Sequence, residues 1–138
     1  MTEKAEPPFR IAVIPVTPFQ QNCSILVETA GNVGAVVDPG GDLDRILDAV
    51  RQIGCRIEKI VITHGHIDHA GGAAELKERL EAEQGTPVPV EGPHRADAPL
   101  LAGLAHAGAR WGLSGARALE PDRFLDEGVV LTVGSIAF

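Results

Sequence analysis

The chain is 138 residues long and 44% hydrophobic, with 19 acidic against 12 basic residues and a formal charge of −7. That is about one domain's length, with apolar content enough for a core that removes roughly two thirds of the unfolded surface from water. The scattered Lys and Arg argue against a nucleic-acid partner, since phosphate-backbone binding needs clustered cations. No apolar run approaches the roughly 18 residues that span a bilayer, so no membrane partner is expected.

The 16 glycines and 10 prolines lift turn content above the average of about 12% without reaching the low-complexity range. Cys23 and Cys55 could form one bridge at most, which excludes a disulfide framework. The opening run MTEKAEPPFR has no apolar stretch of the signal-peptide kind. A cytoplasmic protein with reduced thiols is expected.

Residues 1–8 read as a disordered, solvated arm ahead of a domain at 9–138. Arg10–Val16 and Asn22–Glu28 are β-branched-rich strands joined through Pro18 and Gln20–Gln21 as a hairpin. Val33–Asp38 is a third strand, stopped by Pro39-Gly40-Gly41. A helix follows, with Asp42 as N-cap, Leu43, Ile46, Leu47, Val50 and Ile53 at the 3.6-residue period, and Gly54 closing it. Ile57–Thr63 reads as a strand buried on both faces. Strand, helix and strand make a βαβ unit, so these strands should run parallel.

A loop at 64–70 leads to a helix over Gly72–Gln84, with Ala73, Leu76 and Leu80 inward and Glu75–Arg79 paired outside. Val88–Val90 offers a short strand. Pro99 opens another helix carrying Leu100, Leu104 and Trp111 on one face. Residues 112–127 read as loop. Val129, Leu131 and Val133 then alternate as a strand, and Gly134-Ser135 turns the chain into Ile136-Ala137-Phe138. A terminus is normally polar and frayed, so this apolar ending reads as a chain cut mid-domain.

The chemistry concentrates in Thr63-His64-Gly65-His66-Ile67-Asp68-His69-Ala70-Gly71-Gly72, which holds three of the five histidines. It leaves the C-terminal end of a buried strand, where open α/β sheets bind ligands. In an extended segment residues i and i+2 point the same way, so His64 and His66 can share one ion. Asp68 and His69, after a turn, can face a second. Nitrogen with carboxylate oxygen suits zinc, with iron or manganese as alternatives. The following helix would aim its N-terminal dipole at the site. His94, in Glu91-Gly92-Pro93-His94, reads as a surface turn residue, and His106 as a helix-flank residue.

THGHIDHAGG resembles the signature of the metallo-β-lactamase-fold hydrolases. Pro15-Val16-Thr17-Pro18-Phe19, Gln21-Asn22-Cys23 and Val37-Asp38-Pro39-Gly40-Gly41 are similar to the glyoxalase II-like branch. The resemblance implies the N-terminal part of an α/β αββα sandwich. It implies two zinc ions, the first held by His64 and His66 and the second by Asp68 and His69. Asp38 would sit beneath them, either as a support of the site or as an ordinary turn residue before Pro39. The implied reaction is attack of metal-held hydroxide on the carbonyl of a small-molecule thioester or ester such as S-lactoylglutathione, with Asp68 also orienting that hydroxide. The family's later ligands, a His in a Pro-Gly-His segment, a bridging Asp and a final His, have no counterpart here.

Two other readings use the same residues. A persulfide dioxygenase would hold one iron with His64, His66 and a later His. A non-catalytic metal-binding module or pseudoenzyme would follow if the chain acts as it stands, completed by a second chain along exposed strand edges. A β-lactamase fits less well because of His69, and a tRNA-processing nuclease because of the −7 charge.

Overall fold

The computed structural model describes residues 9–17, 21–111, 119–126, 132–133 and 136–137. A hairpin of β1 (Phe9–Val16) and β2 (Gln21–Glu28) leads to β3 (Val33–Val37), all antiparallel neighbours. Helix α1 (Leu43–Ile53) crosses to β4 (Arg56–Val61), parallel to β3 as the βαβ pattern requires. Next come a short helix α2 (Ile67–Ala70), α3 (Ala73–Gln84) and β5 (Val90–Glu91), parallel to β4. A 3₁₀ turn at Arg95–Asp97 opens α4 (Ala98–Ala102) and α5 (Leu104–Trp111). Strands β6 (Thr132–Val133) and β7 (Ile136–Ala137) pair antiparallel. The main sheet has the order β1-β2-β3-β4-β5.

Side chains alternate across a strand, and the two faces of this sheet are covered differently. Cys23, Ile25, Val36, Ile57 and Ile60 face one way and pack under Ile46, Leu47, Leu76 and Leu80 of α1 and α3. Ala35 and Val61 face the other way, against Val133 of β6 and partly buried Leu26, Val37 and Leu125. Helix, sheet and the start of a second sheet are therefore stacked in that order. Among the described residues no helix is long and apolar enough to cross a membrane.

Several local expectations need correction. Asp42 is the N-cap residue of α1 as expected, but its side chain makes no capping bond: its backbone is left-handed (φ 52°), and its Oδ2 accepts the Thr17 amide at 2.8 Å. That bond ties the end of β1 to the helix start. Gly54 closes α1 in the left-handed region (φ 77°) that glycine enters without a Cβ clash. The expected loop at 64–70 contains the helical turn α2. The expected helix from Pro99 is broken at Gly103, so Leu101 and Leu104 are the buried pair while Leu100 is 43% exposed. The short strand lies at Val90–Glu91 rather than Val88–Val90.

Within the expected loop 112–127, residues 122–125 run along β5. The Val90 and Gly92 amides donate to Asp122 Oδ2 (2.7 Å) and Arg123 O (2.7 Å). Glu91, buried, is neutralised by Lys59 and by Arg123 at 3.0 Å, the pairing a buried carboxylate needs. The arm at 1–8, the side chain of Trp111 and the turn at Gly134-Ser135 lie outside the described residues. Cys23 and Cys55 are both free and buried. Burial, followed by the charge of Asp38, pushes the Cys23 thiol up to about 12, which keeps it neutral and unreactive.

Candidate metal centre

Two turns at the C-terminal ends of neighbouring parallel strands build the site. After β3 the chain enters a left-handed turn at Asp38 (φ 56°), whose amide still donates to Val61 O of β4 at 2.8 Å. Short polar side chains tolerate this conformation better than most. It leaves the Asp38 carboxylate buried under the segment that follows β4. There Oδ1 accepts the Thr63 amide at 2.7 Å and Oδ2 accepts the Thr63 hydroxyl. Oδ2 also lies 2.9 Å from His69 Nδ1.

These contacts select one tautomer for each neutral ring. A carboxylate only accepts, so His69 donates from Nδ1, and in the neutral ring Nε2 is then the nitrogen left for a metal. Thr63 has one hydroxyl proton, and it goes to Asp38. The 2.9 Å contact between Thr63 Oγ1 and His64 Nδ1 is then donated by the ring, which leaves His64 Nε2 free as well. Both imidazoles thus present the nitrogen a metal needs, each held by a hydrogen bond behind it.

Ligand atoms of Asp38, His64 and His69 all lie within 4.8 Å of one another. Two donors bonded at about 2.1 Å to one ion are up to about 4.2 Å apart, close to the separation of this set. The donor chemistry fits a borderline divalent ion. The His64 ring stacks beside His66 with centroids 6.1 Å apart and approaches His69 more closely, at 4.9 Å. Asp68 Oδ2 is 3.7 Å from His69 Nε2. Of the four signature side chains, His64 and His69 come together over Asp38, while His66 and Asp68 lie at the edge of that group.

Helix α2 separates the roles of its residues: Ile67 and Ala70 are buried while Asp68 and His69 stay partly open. The 38–41 turn presses against it closely. A Cβ on Gly40 would lie 1.8 Å from Asp68 O, and one on Gly72 would lie 2.6 Å from Pro39 O. The Gly72 amide donates to Pro39 O at 2.9 Å, so one leading amide of α3 is taken by this turn rather than by the site. Sequence reasoning missed Thr63, whose only signal was its place just before His64. It also missed Asp97, whose Oδ2 accepts the Gly65 amide at 3.0 Å and ties the α4 segment to the histidine loop. His94 is away from the cluster, accepting the Ala96 amide at 3.1 Å, and His106 is exposed on α5.

Residues 16–137 match the profile of the metallo-beta-lactamase superfamily. The chain is 35% identical over 129 residues to a protein of Haemophilus influenzae named hydroxyacylglutathione hydrolase GloC, covering 93% of this chain and 58% of that one. A hydroxyacylglutathione hydrolase of Dechloromonas aromatica is 45% identical over 73 residues, covering 53% of this chain and 26% of that one. The crystal structure of TTHA1623 in a di-iron-bound form superposes with a TM-score of 0.73 at 31% identity, covering 87% of this chain and 56% of that one. The BLEG-1 B3 metallo-beta-lactamase structure, at 24% identity and TM-score 0.75, shares the fold over 94% of this chain and 59% of its own. The chain spans little more than half the length of its longest-matching relatives.

Proposed function

The chain belongs to the metallo-beta-lactamase superfamily, and on that premise we propose that it is the N-terminal part of a metal-dependent hydrolase acting on a small-molecule thioester or ester of the S-lactoylglutathione type. The observation that carries this reading is that His64 and His69, one from each proposed ligand pair, converge over the buried Asp38 carboxylate, with atoms of the three within 4.8 Å of one another. The hydroxyacylglutathione hydrolase names of the relatives supply the substrate class.

In this reading His64 and His66 would hold one ion, and Asp68 and His69 a second. Such ions lower the pKa of bound water toward 7 and polarise a carbonyl oxygen. Asp38 retains the Nδ1 proton of His69 and so keeps Nε2 available. Asp68, beside that nitrogen, is placed to accept a hydrogen bond from an entering water and to turn its lone pair toward the carbonyl. The balanced reaction breaks the acyl–sulfur or acyl–oxygen bond and joins the acyl group to the hydroxyl of water. The thiol or alcohol takes up the remaining proton.

A catalytic zinc normally has three protein ligands, so four ligands over two ions leave each one short. The proposal places the missing ligands in sequence beyond Phe138, in keeping with the greater length of the relatives. The donor set favours zinc, and the di-iron form of a 31% identical relative makes iron the alternative. The proposed compartment is the cytoplasm, which suits two free cysteines.

The test is thiol release from S-lactoylglutathione and a panel of other thioesters by the native gene product, before and after chelation. Turnover is expected to vanish with the metal and return with added zinc or iron, and the 138-residue chain by itself should show little of it. Absence of thiol release from every thioester by fully metal-loaded protein would contradict the proposal.

A further inference from the structure

Beside the histidine loop lies a concave groove of about 410 Å³, within the range typical of small-molecule sites. Its near wall includes His66 and Asp68, and its far wall Leu100, Gly103, Leu104 and Ala107 of α4 and α5. The two walls are joined directly. Asp97, which leads into α4, accepts the Gly65 amide at 3.0 Å, between His64 and His66. The groove thus borders His66 and Asp68, one member of each proposed ligand pair, and lies next to rather than over Asp38, His64 and His69.

Its chemistry is selective. Among the described residues no Lys or Arg lines it, and its one charged side chain is the Asp68 carboxylate. A glutathionyl group, with two carboxylates, would find no cation here and would meet a like charge. An uncharged aliphatic group would find Leu100, Leu104 and Ala107. Leu100, 43% exposed, stands where a hydrocarbon chain would cover it.

Gly103 leaves room in the far wall. An added Cβ there meets nothing closer than Pro99 O at 3.6 Å, and the backbone (φ −95°) is one that any residue adopts. Neither a close contact nor a special conformation at this position requires glycine. What its missing side chain leaves is space beside the groove.

We propose that this groove is a substrate subsite for an uncharged aliphatic group attached to the reacting carbonyl, with Gly103 and Leu100 setting the length it accepts. The assignment rests on the metal-dependent hydrolase reading for its catalytic meaning. Its physical content is a preference for apolar chains beside His66 and Asp68. Acyl chain and leaving group share this chemistry, and the two ester series below distinguish them.

The experiment uses the metal-loaded native gene product and two ester series: straight acyl chains of increasing length on one alcohol, and acetyl esters of alcohols of increasing length. In parallel, binding of straight-chain methyl ketones, which cannot be hydrolysed, is measured by calorimetry. Ketone affinity is expected to rise about fourfold per methylene until the groove is filled. The ester series whose kcat/KM rises in step identifies which side of the carbonyl enters it.

Gly103→Leu is expected to flatten the chain-length dependence. Leu100→Ala, at an exposed position where folding is little affected, should weaken long-chain binding relative to short. Chain-length-independent ketone binding, or full dependence retained in both variants, overturns the subsite. Failure to hydrolyse any ester or thioester while length-dependent ketone binding persists overturns the hydrolase reading and upholds the groove.

Discussion

The hydroxyl of Thr63 has one proton to give and two neighbours to satisfy. By donating to Asp38 and receiving from His64 Nδ1 at 2.9 Å, it links the His64 imidazole to the buried carboxylate that His69 contacts directly. A valine here keeps the β-branched shape and removes the link. Thr63→Val is expected to weaken metal affinity about 10- to 100-fold, the usual effect of losing a hydrogen bond behind a ligand. It should lower stability by about 1.5 kcal/mol. Thr63→Ser should restore both. Chelator competition and denaturant midpoints on the gene product measure the two effects; equal metal affinity in wild type and Thr63→Val would contradict the assignment. The spacing of His64, His66, Asp68 and His69 was enough to nominate them as ligands. Thr63 was not legible because threonine at the end of a strand is common, and only the position of Asp38 beneath it reveals its task.

The turn at 38–41 and helix α2 form the central contact between elements, and the glycines of the two segments allow it. A Cβ on Gly40 would sit 1.8 Å from the Asp68 carbonyl oxygen, which cannot move without shifting the Asp68–His69 pair. Gly54 is glycine for a different reason: its φ is 77° and nothing lies within 4 Å of an added Cβ. Gly40→Ala is therefore expected to cost about 3 kcal/mol and Gly54→Ala about 1 kcal/mol, as read from denaturant unfolding. If the two substitutions were equally mild, the close approach of the turn to α2 would be refuted.

Legibility at this level followed periodicity. Helix α1 repeats its apolar residues over three turns and was readable to within a residue. Helix α2 has four residues and no period to detect. Near Pro99 the spacing Leu100–Leu104 and the spacing Leu101–Leu104 both suit a helix. The break at Gly103 selects the second and turns Leu100 outward. Asp42 has the composition of a cap, but a tertiary bond to the Thr17 amide claims its side chain.

Across the whole molecule, the sheet is covered by helices on one face and by Val133 of β6 on part of the other. Ile11 pairs with Leu26 across the hairpin and so shares that second face, as does Val13; they are 60% and 54% exposed. The alternation of apolar residues made the helix-covered face readable. The second face is distributed among short, distant segments whose pairing depends on tertiary contacts, and the sequence pattern alone did not place them. The layering nonetheless brings the ends of β3 and β4 together, and with them Asp38, Thr63 and the histidines.

That this junction holds a metal is the claim on which the functional reading depends, and metal content measures it most directly. The native gene product, passed through gel filtration and assayed by elemental analysis, is expected to retain a stoichiometric amount of zinc or another divalent transition metal. The His64→Ala/His69→Ala variant should lose it while keeping its far-ultraviolet circular dichroism. Wild-type protein that stays metal-free after exposure to zinc, iron and manganese, or a folded double variant that retains as much metal, would contradict the account.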